Sequence, residues 1–240
     1  MADIRLYVSG PLEAERVVPL DSAQSNYLFG VMRRKVGDTL LVFDGESGAW
    51  IAEVAKANKR NGLLVCKAVA EPQVSPPDLW LLFAPVKKAR TAFIVEKAVE
   101  MGVRAVQPVL TEFTNERLNT GRMQAHAVEA AEQCGATFVP DVAEPIKLLD
   151  MLESWPEGRK LMFCDEGRAA LPVAEALAGE AAGPWAIVIG PEGGFSAEEV
   201  AALRGLEAVV SVTLGPRILR ADTAAVAALT AWQMALGDWR

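Results

Sequence analysis

The stretch Ala186-Ile187-Val188-Ile189-Gly190-Pro191-Glu192-Gly193-Gly194-Phe195-Ser196-Ala197-Glu198-Glu199 constrains this chain more than any other. Four apolar residues, β-branched ones among them, predict a strand buried on both faces. Gly190 and Pro191 end it. Gly193 and Gly194 carry no Cβ, which permits a tight turn and close approach of a ligand to the backbone. Ser196, with Glu199 three residues on, is a capping box that opens a helix. A buried strand, a glycine loop and a helix N-terminus in series belong to open α/β sheets, whose ligands sit at the carboxyl ends of strands. The loop is not a P-loop, since it lacks the Gly-Lys-Ser/Thr ending. Its glycines also lack the spacing of a dinucleotide fingerprint.

A second stretch repeats the pattern. Val209 to Leu214 predicts another strand, followed by Gly215-Pro216-Arg217-Ile218-Leu219-Arg220-Ala221-Asp222-Thr223 and an Ala-rich helix running to about Gly237. Asp222 or Thr223 is the expected N-cap. The two strands are expected to run parallel, one βαβ unit apart, with their loops lining one pocket.

Composition removes several alternatives. Cys66, Cys134 and Cys164 are far apart with no CxxC spacing, and His126 is the single histidine. A disulfide framework and a structural metal are therefore not expected, and a reducing cytoplasm is. No apolar run approaches the roughly 20 residues of a membrane helix. Met1-Ala2-Asp3-Ile4-Arg5 lacks the basic-then-apolar layout of a signal peptide. The net charge is −7, and residues 1–72 carry nine basic and nine acidic side chains, so the whole acidic excess falls on the remainder.

Residues 1–72 read as mostly β, with strands at Arg5–Val8, Thr39–Phe43, Trp50–Val54 and Leu63–Lys67. A short helix is expected over Asp21–Met32, capped by Asp21 or Ser22. Asp44-Gly45 is a hairpin signal. Short strands with regular turns suggest a small barrel. The clusters Arg33-Arg34-Lys35 and Lys56…Lys59-Arg60 are candidate phosphate contacts or solvated turn charges. Glu71-Pro72-Gln73-Val74-Ser75-Pro76-Pro77 places three prolines in six residues, a stiff linker and the expected domain boundary. Strands and helices then alternate. Strands are expected at Leu79–Ala84, Ala105–Val109, Phe138–Val139 and Lys160–Cys164, and helices at Thr91–Met101, Arg122–Cys134 and Ile146–Trp155. This order predicts a parallel sheet with helices on both faces.

The two glycine loops, Gly190 to Ser196 and Leu214 to Ala224, resemble the paired motifs of the small-subunit ribosomal RNA uridine-N3 methyltransferase family, within the SPOUT class. Lys97-Ala98-Val99-Glu100-Met101-Gly102-Val103 and Glu129-Ala130-Ala131-Glu132-Gln133-Cys134 are similar to two further family motifs. Tyr27 to Arg33 with Gly37-Asp38 resembles an N-terminal one. Two positions depart: Ala136 replaces the usual arginine, and Tyr27 the usual histidine.

The resemblance implies a PUA-like β-barrel RNA-binding domain over 1–72. It also implies a SPOUT methyltransferase domain over 73–240, an α/β fold with a parallel sheet and a C-terminal trefoil knot. It implies a homodimer that uses S-adenosyl-L-methionine to methylate N3 of one uridine near the decoding centre, with the assembled small subunit as partner. Ile189, Gly190, Gly193, Gly194, Leu214, Gly215, Ile218, Leu219 and Thr223 are then the expected cofactor contacts, glycines for close approach and aliphatics for the faces. Arg220 is the first choice to stabilise the uridine anion, because a guanidinium fork matches charge spread over O2 and O4. Glu192 and Glu100 are candidate proton acceptors. Arg33, Arg34, Lys59, Arg60, Lys97 and Arg217 are candidate RNA contacts. A SPOUT ribose 2′-O-methyltransferase and a non-catalytic RNA-binding assembly factor stand as alternatives.

Overall fold

The computed structural model describes residues 4–165 and 170–240. Met1 to Asp3, part of the N-terminal stretch read above, lie outside them. The chain divides into two compact units, one running up to Ser75 and including Ala131–Val139, the other Pro76–Ala130 with Pro140–Arg240.

The first unit contains β1 (Arg5–Tyr7), β2 (Val17–Pro19), α1 (Ser22–Asn26), a π-helical turn (Tyr27–Val31), β3 (Thr39–Phe43), β4 (Ala49–Lys56) and β5 (Leu63–Glu71). Its sheet has the order β1-β3-β4-β5-β2. β1 runs parallel to β3, and the other pairs are antiparallel. Alternation along β4 puts Ala52 and Val54 into the core and Ile51 outside it. Leu28 and Phe29 of the π-helical turn pack into the same core. Asp21 is the α1 cap, in a capping box with Gln24. Arg33 follows with φ +54°, left-handed backbone without the freedom of glycine. The β3–β4 turn is built on Asp44, whose carboxylate accepts the N–H groups of Leu12, Glu46 and Ser47 and the Ser47 hydroxyl. Burial pushes its pKa up, but those hydrogen bonds outweigh burial and hold it below the usual carboxylate value. Residues 131–139 join this unit: Glu132 Oε1 accepts the Tyr7 N–H at 2.8 Å, and Thr137 Oγ1 the Val74 N–H at 3.0 Å.

The second unit contains β6 (Leu79–Phe83), α2 (Lys88–Glu100), β7 (Ala105–Leu110), α3 (Thr120–Cys134, its end counted with the first unit), β8 (Asp141–Val142), β9 (Ile146–Lys147), α4 (Leu148–Glu153), β10 (Lys160–Cys164), β11 (Leu171–Pro172), α5 (Val173–Leu177), β12 (Trp185–Ile189), α6 (Ala197–Gly205), β13 (Val209–Thr213) and α7 (Ala221–Ala235). The sheet order is β11-β13-β10-β12-β6-β7-β8, with β9 also on β7, and every pair is parallel. Ala186 and Val188 of β12 share one core with α4 and α6. α7 packs on α2, α5 and β12.

Two buried polar side chains tie this unit together. Arg159, 6 % exposed, makes a bidentate pair with Asp78 at 3.0 and 3.1 Å, donates to the Trp185 carbonyl and lies 3.7 Å above the Trp80 ring. Gln233 donates to the Met101 carbonyl at 2.6 Å and accepts the Asp238 N–H at 3.0 Å, fastening α7 to the end of α2.

Several elements differ from the sequence reading. β12 and β13 are parallel but not neighbours, because β10 lies between them. Ile146 begins a short strand, not a helix, and the strand expected at Phe138–Val139 forms at Asp141–Val142. The N-cap of α7 is Arg220, with no capping side chain. Asp222 sits inside the first turn, where its Oδ1 accepts the Thr223 N–H at 3.0 Å.

Candidate functional site

The first glycine loop leaves β12 at Ile189. A Cβ on Gly190 would lie 2.8 Å from the Phe195 ring, and that ring stands edge-on to Phe163 with centroids 5.5 Å apart. A Cβ on Gly193 would lie 3.0 Å from the Phe113 Cβ. Gly194 takes φ +71°, and its N–H donates to the Pro191 carbonyl at 2.9 Å. Ser196 and Glu199 form the capping box that opens α6. Glu199 does more than the sequence indicated. It is 3 % exposed, and besides the Ser196 N–H at 2.8 Å it accepts the Glu112 N–H at 2.8 Å from the turn after β7. One carboxylate therefore fixes two loops. The only hint in the sequence was the capping box itself, which gives no sign of the second donor.

The second loop leaves β13 at Thr213. Thr213 Oγ1 accepts the Gly215 N–H at 3.3 Å and donates to the Gly215 carbonyl at 3.2 Å. Gly215 has φ +116°. Residues 215–218 are exposed, Ile218 by 85 %.

Both loops border one cleft of about 280 Å³, lined by Ile189, Gly190, Gly193, Gly194, Ile218 and Leu219 together with Cys164 and Asp165 at the end of β10. A recess of about 130 Å³ beside it takes Leu214, Gly215 and Arg217. Packing around Cys164 pushes its thiol up to about 12, so it stays protonated and is no nucleophile at neutral pH. Asp165 is paired with Arg204 at 2.8 Å. A wider cleft of about 680 Å³ shares Pro191, Glu192 and Gly193 of the first loop with the narrower one. Its lining includes Lys87, Arg90, Phe113, Asn115, Glu192 and Arg220. Arg90 holds Glu192 at 2.6 Å.

Eight of the nine expected cofactor contacts thus converge. The ninth, Thr223, is exposed in the first turn of α7 and is not among the residues lining either recess. Arg220 and Glu192 share the wider cleft. Glu100 is exposed at the end of α2, where Lys97 pairs with it at 2.6 Å, and neither lines that cleft. Lys97 also lies over the Phe93 ring. Arg33, Lys59 and Arg60 are exposed in the first unit, and Arg34 is half-buried there. Among the described residues no helix is long and apolar enough to cross a membrane, and no three His, Cys, Asp or Glu gather as a metal site.

Residues 73–233 match the family model of the RNA methyltransferase domain, and residues 20–65 that of the RNA methyltransferase PUA domain. The protein named Ribosomal RNA small subunit methyltransferase E from Synechocystis is 32% identical over 94% of this chain and 75% of its own length. The one from Buchnera aphidicola (Schizaphis graminum) is 27% identical over 98% of this chain and 97% of its own. The crystal structure of the enzyme of that name from Neisseria gonorrhoeae, bound to S-adenosyl methionine, superposes with a TM-score of 0.89 at 27% identity. It covers 99% of this chain and 100% of that one.

Proposed function

We infer how this chain acts from one premise: it belongs to the RNA methyltransferase family that carries a PUA domain. It is an S-adenosylmethionine-dependent methyltransferase of small-subunit ribosomal RNA. The finer reading is transfer to N3 of a single uridine, the family position U1498 of 16S ribosomal RNA. The observation that carries it is the meeting of both glycine loops at one cleft, with Arg220 at the edge of the next.

The narrow cleft suits the cofactor. Gly190 and Gly194 line it, Ile189, Ile218 and Leu219 supply apolar faces, and a Cβ on Gly194 would point into empty space, which leaves that backbone open to an adenine edge. When bound there, the cofactor supplies an electrophilic methyl group. The protein's own work is to receive uridine in the wider cleft and to favour its N3 anion. The Arg220 guanidinium stands there at the N-terminus of α7, whose dipole adds partial positive charge. Of the two candidate carboxylates, Glu192 shares the cleft and is steadied by Arg90, so it is the acceptor of the N3 proton that the geometry favours.

Around this centre we assign residues 1–72 as the PUA-like RNA-binding domain, with Arg33, Arg34, Lys59 and Arg60 on phosphates, and 73–240 as the SPOUT domain. The trefoil knot is supported by β12 lying between β6 and β10 while α7 returns onto β12. A homodimer is supported by exposed apolar side chains: Phe93 on α2, Met234 on α7 and Ile218. The assembled small subunit is the substrate, which puts the reaction in the cytoplasm.

The test is mass spectrometry of 16S ribosomal RNA from a deletion strain, then incubation of its small subunits with purified protein and cofactor. One 3-methyluridine should vanish and be restored. A methyl group on ribose O2′, or no change, overturns the reading.

A further inference from the structure

A second recess, of about 430 Å³, lies between the N-terminal halves of α2 and α3. Lys88, Arg117, Asn119, Arg122 and His126 are on its wall. Among the described residues, the side chains of Lys88, Arg117 and Arg122 have no ion pair and no hydrogen bond. Glu96 and Glu129 lie beside His126, at 3.5 and 3.6 Å from its Nδ1.

Two helices begin at this recess. α2 starts with Lys88 and has no side-chain cap; α3 is opened by Asn119, whose Oδ1 accepts the Arg122 N–H at 2.9 Å. Their dipoles add to the three uncompensated cations. This concentration of positive charge sits in the part of the chain that holds all of the −7 excess.

The recess also has a fixed position relative to the reaction. The turn from β6 into α2 separates it from the wider cleft. Pro85, Lys87 and Arg90 face the cleft, while Val86, Lys88 and Ala89 face the recess. Successive Cα atoms are about 3.8 Å apart, so the two sites border one another across a single backbone segment. An extended polynucleotide that places a uridine beside Arg220 has its neighbouring phosphates within reach of the recess.

We propose that this recess, formed by Lys88, Arg117 and Arg122, binds backbone phosphates of the RNA strand flanking the target nucleotide. The proposal rests on the methyltransferase reading above. It gives the acidic unit an RNA contact of its own, alongside whatever the neutral unit supplies.

The test is equilibrium binding of purified small ribosomal subunits, without cofactor, across a series of salt concentrations. In single-stranded RNA each neutralised phosphate contributes about 0.7 to the slope of log affinity against log salt. Lys88→Ala/Arg117→Ala/Arg122→Ala should lower that slope by about 2. The RNA concentration for half-maximal methylation should rise about tenfold or more, with calorimetric cofactor affinity and turnover at saturating RNA unchanged. Arg117→Lys/Arg122→Lys should keep the slope, because a phosphate accepts a point charge. An unchanged slope in a triple variant that still binds cofactor overturns the proposal. So does tight binding of inorganic phosphate by the wild type that the triple variant loses while its RNA slope stays the same, since the recess would then serve a small anion. The slope needs no turnover. A protein that binds subunits with this salt dependence but methylates nothing would refute the catalytic reading and leave this one standing.

Discussion

The two glycine loops extend from one parallel sheet and border one cleft, yet they are held in opposite ways. The loop after β12 is pinned from several sides: Phe195 and Phe113 crowd its glycines, Ser196 caps the next helix, and buried Glu199 ties it to the turn after β7. Among the described residues, the loop after β13 is held by little beyond Thr213, and residues 215–218 are exposed. In the first loop Gly190 and Gly193 are required by their neighbours and Gly194 by its φ of +71°; in the second, Gly215 is required by its own backbone. A Cβ on Gly215 would meet nothing within 4 Å, but φ is +116°. A pinned loop offers a preformed cradle. A loosely held one is suited to close over what it binds, as low-stability segments at binding sites do.

That contrast assigns different consequences to similar substitutions. The largest effect is expected in the loose loop and on rate alone. Arg220→Ala should raise the barrier to transfer by about 2–4 kcal/mol, the scale of one oxyanion donor, with the unfolding midpoint and cofactor affinity nearly unchanged. Arg220→Lys should recover part of it, because an ammonium lacks the planar fork. Single-turnover transfer with separate calorimetry reads both quantities. Lost cofactor binding with normal transfer at saturating cofactor would make Arg220 a cofactor-loop residue instead.

Next comes stability in the pinned loop. Glu199→Ala leaves two backbone N–H groups without their acceptor and should cost about 2–3 kcal/mol by denaturant titration. Glu199→Gln, which keeps one oxygen, should recover about half. Equal stability in all three proteins would mean that other contacts set the loop.

Smaller again is the paired comparison of Gly193→Ala with Gly215→Ala. The first pushes a methyl group against Phe113 and should destabilise by about 1–2 kcal/mol. The second strains only the local backbone, by about 1 kcal/mol. The reverse ranking would break the contrast. Smallest is Ile218→Ser, within about 0.5 kcal/mol of wild type in stability. If Ile218 is covered in a homodimer, sedimentation should show weaker association; unchanged association and unchanged cofactor affinity would leave the side chain with neither role.

Much of this was legible in local sequence. The strand of four apolar residues, the stop at Gly190-Pro191 and the Ser196–Glu199 box all act over a few residues, and the structure has them as read. Elements set by distant partners were not. β2, β9 and β11 are two or three residues long and exist through pairing with β5, β7 and β13. The insertion of β10 between β12 and β13 has no local signature. Asp222 is the better capping residue by type, yet the N-cap falls two residues earlier, at Arg220. The sequence pattern therefore misplaces the cap, while the structure puts the arginine at the cleft's edge. The uncompensated cations of the α2–α3 recess are spread over residues 88–122, and only folding collects them.

The place of β12 in the sheet also has a consequence during synthesis. β6 and β10 are made first, and each needs β12 as its neighbour, not the other. Until Trp185–Ile189 leaves the ribosome, both present bare, apolar edges with unpaired backbone groups. At about 5–20 residues per second, the interval from the end of β10 to the end of β12 is on the order of a few seconds. For that time the nascent unit cannot close its sheet, and it is exposed to aggregation and to chaperones. Removing residues beyond Pro184 would therefore do more than delete a ligand loop: it would leave a permanently split sheet.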